Sequence, residues 1–521
     1  MLKVLMVAAE NDALPNGKVG GIGDVIRDIP KFLAQKNVHV DVIVPGYQYQ
    51  STASPSELLL QFEVPFREQK EIVSLYKIAL AGDKNVHQYV LEHPLLHAGK
   101  PGQIYFDDGA DKPFYSDANK FAFFCISVCE LVTKHWFDQV DIMHLHDWHS
   151  AMVSILRQFD PTYKRLKSIR TVYSVHNLAI QGIRPLEHDA SSLKSWFPWL
   201  CYQTNLINDP RYIHCLNPTR AAINLSDAVH VVSPTYANEV LKPSDPENGF
   251  IGGEGLELDL MNAFEEGRLF GILNGCDYDV RLPNKISELE LIDQIQQTIS
   301  QFSTNDEGKS QRLKLAKERC HKWAKQATKG PLLLSIGRLT EQKIKLLFAP
   351  SQQGLVIDAM MQQLGAFDAR LIILGSGDIA LEKSLATAMK KHTNLLFING
   401  YFASLSDQLY VNGDLFLMPS SFEPCGISQM LAMRAGQPCL AHRIGGLGDT
   451  IDHLTSGFLF SGATIKEQTD NMLSTLMIAL KMITSAPSQW QKMQHTAKSQ
   501  RFLWSDSIND YIQYLYNQKM H

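Results

Sequence analysis

Residues 3–45, KVLMVAAENDALPNGKVGGIGDVIRDIPKFLAQKNVHVDVIVP, decide the fold. They open on a short, wholly apolar run, Val4 to Ala9. A glycine-bearing loop follows, and then apolar residues at Ile22, Val25, Ile26, Ile29, Phe32 and Leu33, the three-to-four spacing of a helix face. HVDVIVP (39–45) then repeats the apolar run. Strands that are apolar throughout, rather than at every second residue, are buried on both faces. Such strands separated by a helix predict a parallel sheet with helices on either side.

The same alternation extends outward from this unit. DIMHLHD (141–147), TVYSVHN (171–177) and AVHVVS (228–233) are further strands with helical segments between them, and the pattern pauses at GILNG (271–275). A polar, helix-prone stretch runs from about residue 284 to 329. Alternation then restarts with PLLLSIGR, RLIILGSG, NLLFING, DLFLMPS and QPCLAHRIGG, and the chain closes on an aromatic helical segment around Trp504 to Tyr516. The predicted class is α/β, with two doubly wound Rossmann-like domains facing across a cleft. Domains are expected at 1–270 and 271–495, with a closing helix over 496–521. Length alone, at 521 residues, would have allowed three or four domains.

Composition narrows the function classes. The chain has 49 Lys+Arg against 54 Asp+Glu, a formal net charge of −5, and 45% hydrophobic residues. This mild acidity argues against clamping nucleic acid or an anionic membrane through overall charge. Eight cysteines are scattered without a CxxC pair, which fits neither a disulfide framework nor a zinc finger and suits reduced thiols in the cytoplasm. Val4 to Ala9 is too short for a signal-peptide core, and no stretch is long and apolar enough to span a membrane.

In open parallel sheets, ligands sit beyond the carboxyl ends of the strands, so the residues there carry the chemistry. KVGGIGD (18–24) joins the first strand to its helix. Lys18 supplies charge, and Gly20, Gly21 and Gly23 permit close backbone approach. That combination suits either a phosphate or sugar ligand or a plain tight turn, and it matches neither GxGxxG nor the P-loop pattern. HLHDWHS (144–150) reads as a metal set, as core histidines, or as a polar strand-end cluster in which Asp147 holds a sugar hydroxyl. His176 and Asn177 end the next strand. In the second half, Arg338 and Lys343 in GRLTEQK suit a diphosphate or a solvated basic loop. FEPCGISQ (422–429) places Glu423 before Cys425 and lets Gly426 to Ser428 present helix-start N–H groups; Cys425 reads as a nucleophile or, more simply, a packed thiol. Asp277 and Asp279 form a DxD pair within an LNGxD turn, a pattern common by chance.

Together these strings resemble the bacterial glycogen synthase and plant starch synthase family of retaining glycosyltransferases with the GT-B fold. KVGGIGD, HDWHS, VHNLAIQG, VSPTYANE, ILNGCDYD, GRLTEQK, LGSGD, SSFEPCGISQMLAMRAG and GGLGDT occur in family order between residues 18 and 450. The terminal WSDSINDYIQYLY resembles the family's closing helix, which returns to the amino-terminal domain.

The resemblance implies transfer of glucose from ADP-glucose, or another nucleotide sugar, to the non-reducing end of an α-1,4-glucan. It implies that Lys18, Gly20 and Gly21 contact the donor phosphates with Asp24 supporting their loop, and that Asp147, His176 and Asn274 meet the glucose. Arg338 and Lys343 would stabilise the leaving diphosphate, Tyr401 would stack on the base, and Glu423 would hold sugar hydroxyls. The amides around Cys425, Gly426, Ile427 and Ser428 would engage sugar or phosphate. The family's proposed route is same-face attack guided by the departing phosphate. No metal or other cofactor is expected, because fixed cations and helix N–H groups can take a metal's place at the diphosphate. Neither nucleic acid nor membrane is expected as a partner.

Three places depart from the family pattern: Ile344 and Lys345 with a longer stretch to Gly354, Ser428 where Thr is usual, and Ile444 where Thr is usual. The departures leave open a different donor or a small acceptor, and a catalytically silent glucan-binding homologue.

Overall fold

Two sheets, one wholly and one mainly parallel, each built around one reversal of strand order, account for the alternation in the sequence. The structure is a computed structural model that describes residues 1–517 apart from 81, 83, 138, 303, 305 and 353. Its contacts fall into two compact units.

The first unit comprises Met1–Ser244, Gly252–Asn274 and the chain from Trp504 onward. Its nine-stranded sheet runs, edge to edge, through Leu269–Gly271, Ala228–Val231, Arg170–Val175, Ile142–His146, Lys3–Val7, His39–Pro45, Val86–Glu92, Gln69–Ile78 and Ser56–Phe66. Lys3–Val7 lies between His39–Pro45 and Ile142–His146, parallel to both. The chain therefore winds outward first to one side and then to the other, and the reversal lies between Lys3–Val7 and Ile142–His146. Ligand crevices in open sheets form at such a point, where successive loops diverge.

The second unit comprises Asp245–Ile251 and Gly275–Leu503. Its six strands run Leu395–Asn399, Arg370–Gly375, Leu332–Ile336, Leu415–Met418, Cys439–His442 and Gly457–Phe460, with every pairing parallel. Here the reversal lies between Leu332–Ile336 and Leu415–Met418. The polar stretch before this sheet forms two helices, Glu288–Gln301 and Glu307–Ala324, which bury Leu291, Ile295, Leu313 and Trp323 in the unit's core.

The structure departs from the sequence reading in two respects. The first sheet is not wholly parallel, because Ser56–Phe66 and Gln69–Ile78 form an antiparallel hairpin at its edge. Its turn is made without glycine by Arg67 at φ 60°, so composition gave no turn marker. The unit boundaries also differ from the expected 270/271 and 495/496. The helix Pro487–Ser499 stays with the second unit because Trp490, Met493 and Ala497 are buried in its core, and the crossing comes between Leu503 and Trp504. Beyond it, Trp504, Ile508, Tyr511, Leu515 and Tyr516 are buried in the core of the first unit. Among the described residues no helix is long and apolar enough to cross a membrane.

Candidate active site

In the first unit the chain leaves Lys3–Val7 and doubles back before entering the helix Gly21–Gln35. Glu10, 2% exposed, anchors this loop from inside. One of its carboxylate oxygens accepts the Val19 and Gly20 N–H groups at 2.7 and 2.6 Å, and the other accepts the Tyr105 hydroxyl at 2.7 Å. Gly17 packs so tightly that a Cβ would stand 2.0 Å from the Asn11 carbonyl oxygen. At Gly21 the opposite holds, and a Cβ would meet no atom within 4 Å. The amino end of a long helix is thus left bare at a residue without a side chain, the arrangement that lets an anion approach the backbone. Beside it, Lys18 Nζ stands 2.6 Å from Asp24 and 3.9 Å from Asp12, and Arg27 pairs with Asp12, Asp24 and Asp28. Burial raises the Asp24 carboxyl above its ordinary range, against the opposing pull of Lys18.

On the other side of the strand reversal, Ile142–His146 ends at Asp147, which takes φ 53°, a strained value for aspartate. The Asp147 carboxylate accepts the His176 N–H at 2.7 Å, and the Asp147 N–H donates to the Ser174 carbonyl at 2.9 Å. Asn177 also donates its backbone N–H to this carboxylate. Burial nevertheless outweighs these bonds and pushes the Asp147 carboxyl up to about 7. His176 is pushed by burial down to about 3, so its imidazole is neutral near pH 7, and its Nε2 lies 3.0 Å from His146 Nδ1. His144, His146 and His149 are buried within the fold, and their ligand atoms are not among the converging sets found in the described residues. Of the readings of HLHDWHS, the core-histidine one describes these three. Asn274, the last residue of its segment in this unit, is buried with its side-chain oxygen unpaired, an acceptor a ligand hydroxyl could satisfy.

In the second unit the loops after Leu332–Ile336 and Leu415–Met418 meet at that sheet's own reversal. The Gln342 carbonyl accepts the Ser421 and Phe422 N–H groups at 2.8 and 3.3 Å, docking one loop on the other. This brings the Lys343 ammonium onto the carboxylate of Glu423, which is 5% exposed. Arg338 is exposed and forms no salt bridge among the described residues. The LGSGD glycines are structural: a Cβ on Gly375 or Gly377 would fall 2.1 Å from the Gly337 or 2.3 Å from the Leu339 carbonyl oxygen. Tyr401, 66% exposed, follows Leu395–Asn399, whose last residue is tied to Arg312 and Glu382 at 2.7 and 2.8 Å.

Cys425 is buried, and Gly426 sits at φ 75° immediately before Ile427 and the helix Ser428–Arg434. Gln429 returns its amide to the Cys425 and Gly426 carbonyls at 3.1 and 3.0 Å, fixing the loop. The inserted segment after Lys343 folds inward: Ile344, Leu346 and Leu347 are buried in the core, and Pro350–Ser351 pairs with Gly354–Leu355.

Asp277 spends one carboxylate oxygen on the Asp279 N–H at 2.9 Å, an aspartate turn. Among the described residues the compact ligand-type set is instead His39, Asp41 and His87, at the opening residues of their strands, the ends remote from the strand-end loops. Three further residues, Glu10, Gln342 and Gln429, shape the strand-end clusters of the two units without having been singled out in the sequence, whereas His146 lay within the HLHDWHS cluster. Each of the three is a polar residue whose role is to hold backbone or another side chain, and no motif marks that.

Comparison with known proteins agrees with the fold. Residues 3–262 match the family profile for the starch synthase catalytic domain, and residues 330–477 that for glycosyl transferases group 1. A glycogen synthase of Streptococcus agalactiae serotype III is 33% identical over 533 residues, covering 99% of this chain and 100% of that protein. One from Lactiplantibacillus plantarum is 31% identical over 530 residues, covering 98% of each. The catalytic domain of starch synthase IV from Arabidopsis thaliana, solved with ADP and acarbose, aligns with a TM-score of 0.75 at 25% identity. That alignment covers 99% of this chain and 98% of that one.

Proposed function

This chain belongs to the glycogen synthase and starch synthase family of glucosyltransferases, and from that premise we propose that it moves glucose from ADP-glucose to the non-reducing end of an α-1,4-glucan with retention of configuration. The observation that carries the reading is the strand-end cluster of the second unit: a buried carboxylate, Glu423, paired with Lys343 at the strand reversal, with Arg338 exposed in the same loop.

The chemistry follows from charge. As the bond between the anomeric carbon and phosphate breaks, negative charge accumulates on the diphosphate while the sugar becomes cation-like. Arg338 and Lys343 are fixed positive charges that meet the first change. The bare helix start at Gly21, with Lys18 beside it, offers further stabilisation to phosphate oxygens. Asp147, His176, Asn274 and Glu423 are the groups for sugar hydroxyls, and Tyr401 offers an exposed ring for the base. The Cys425–Ser428 amides engage sugar or phosphate. With two permanent cations assigned to the leaving group, the mechanism calls for no metal. Support for ADP as the nucleotide comes from the starch synthase relative solved with ADP. Eight free thiols fit a cytoplasmic setting.

The test is to incubate the protein with glycogen and either ADP-glucose or UDP-glucose, following nucleoside diphosphate release. Glycogen-dependent release from ADP-glucose in preference to UDP-glucose is expected. Preference for UDP-glucose would overturn the donor assignment, and release from neither by folded protein would overturn the function.

A further inference from the structure

Behind His176 lies a set of buried imidazoles whose protonation pattern can be read from their partners. His230 Nε2 stands 3.1 Å from the Ile272 carbonyl oxygen, which can only accept, so Nε2 carries the proton and Nδ1 is bare. Ser174 Oγ, 2.7 Å from that bare nitrogen and nearer than the Tyr511 hydroxyl at 3.4 Å, donates to it, since two lone pairs would repel at 2.7 Å. Ser174 Oγ is then the acceptor for His144 Nε2, also at 2.7 Å. His144 Nδ1 is left bare and accepts the Tyr516 hydroxyl at 2.8 Å. One carbonyl thus fixes a directed chain of four hydrogen bonds, Tyr516 to His144 to Ser174 to His230 to Ile272, in which both histidines are neutral.

His146 lies against this chain, its ring stacked on His144 with centroids 4.2 Å apart. It meets His176 through Nδ1 at 3.0 Å, while its own Nε2 is buried without a hydrogen-bond partner. Both rings are neutral, so one of two arrangements holds. If His176 donates, His146 carries a proton on Nε2, a buried N–H with nothing to receive it. If His146 donates, only a bare ring nitrogen is left unpaired. Orphaned buried donors are the rarer and costlier defect.

We infer that His146 is a positioning residue that donates from Nδ1 to His176 Nε2 and thereby holds His176 as the Nδ1–H tautomer, a ring donor for a hydroxyl of the donor sugar. The inference rests on the proposed reading of His176 as a sugar contact. A bare Nδ1 would accept a hydroxyl proton instead, so the tautomer decides which way that bond to the sugar runs. Outer-shell partners that fix the tautomer of a metal-ligating histidine cost about 10- to 100-fold in activity when removed, and a loss of the same order is expected for a histidine that binds sugar.

Asparagine can place an amide N–H where His146 Nδ1 stands, whereas leucine fills the space without a donor, so the full-length variants His146→Asn and His146→Leu separate the donor from the packing. Two-bond 1H–15N histidine spectra report the tautomer directly, with the His176 signal assigned by its loss in His176→Gln. In the wild type His176 is expected protonated on Nδ1. In His146→Leu that tautomer is lost and kcat falls about 10- to 100-fold, with His146→Asn recovering both and the two variants melting alike. A wild-type His176 protonated on Nε2, or a His146→Leu variant with undiminished kcat, overturns the inference. If the wild type transfers no glucose at all, the functional reading fails while the spectrum still decides the tautomer.

Discussion

Lys343 and Glu423 form an ion pair across 80 residues of chain, one partner reaching solvent and the other buried. The pair is held from outside itself, since the Gln342 carbonyl fixes the Ser421 and Phe422 amides and so sets the two loops in register. Its partners have different duties in the proposed reaction, a cation for phosphate and a carboxylate for sugar. Separating those duties from the stability of the pair gives the first prediction.

Lys343→Ala leaves the Glu423 carboxylate buried and uncompensated. For a fully buried pair such a loss costs about 3–5 kcal/mol, and the partial exposure of Lys343 places this one toward or below the low end. It should also lower kcat by about 10²- to 10³-fold, as removal of one electrostatic stabiliser does. Adding Glu423→Gln should restore most of the denaturation midpoint without restoring kcat. Recovery of kcat together with stability would show that the pair is structural only.

Gly21→Ala distinguishes a ligand-binding turn from a merely tight one. Gly21 is not in the left-handed region and a Cβ there meets nothing within 4 Å, so the fold has room for it. Stability should stay constant or rise by up to about 1 kcal/mol. The KM for the nucleotide sugar should rise about tenfold, equivalent to roughly 1.4 kcal/mol of lost contact. An unchanged KM would mean that nothing approaches the backbone there.

Gly446→Ala makes the opposite case. Its Cβ would fall 2.2 Å from the Cys425 carbonyl oxygen, and one on Gly445 would fall 2.1 Å from that of Glu423. Both obstacles are backbone, so the FEPCG loop must move. A loss of about 1–3 kcal/mol is expected in urea denaturation, together with a fall in kcat, because the displaced loop carries Glu423. Full activity in this variant would contradict the assignment of that loop to the site.

Stability should fall as the solution is acidified from pH 7 toward 4, and the first unit should carry most of the change. Burial holds His149 and His176 at about 3 and His230 at about 4, all below the usual histidine value of about 6.5. A depressed histidine contributes stability that is present above its unfolded pKa and lost as pH falls toward its folded one, because the unfolded chain takes up the proton first. Asp147 opposes this: its carboxyl, raised to about 7, contributes stability below about 4 that is lost as pH rises through 7. His144 and His146 of the same unit are depressed by burial as well, while burial also raises Asp24 and Asp117, and the five histidines outweigh the three aspartates to give a net loss toward acid. Denaturation midpoints measured from pH 4.5 to 7.5 check it, and a flat profile would show that these rings are not held neutral.

Both sheets were legible from strands such as Val4–Val7 and Leu371–Leu374, because burial on both faces demands continuous apolar residues. The hairpin Ser56–Ile78 was not, since its half-exposed strands alternate weakly and Arg67 makes its turn. Candidate residues at strand ends could be placed by topology alone, Lys18 and Asp147 on either side of one reversal and Lys343 and Glu423 on either side of the other. Residues that act on backbone escaped notice. Glu10 is a lone glutamate after a strand, and only the Val19 and Gly20 amides and the Tyr105 hydroxyl it receives explain its burial. The difference between Gly21, open to solvent, and Gly446, wedged against a carbonyl, is likewise invisible in a string of glycines.

The central claim is transfer of glucose to the non-reducing end of an α-1,4-glucan with retention. It is tested most directly by incubating the protein with glycogen and ADP-glucose radiolabelled in the sugar, isolating the polymer, and digesting it with β-amylase, which releases maltose from non-reducing α-1,4 chain ends. The account predicts label in the polymer that is recovered as maltose, and about 10²- to 10³-fold less with Lys343→Ala at matched protein and time. Label that stays out of the polymer, or enters it in a form β-amylase cannot release, would contradict the account.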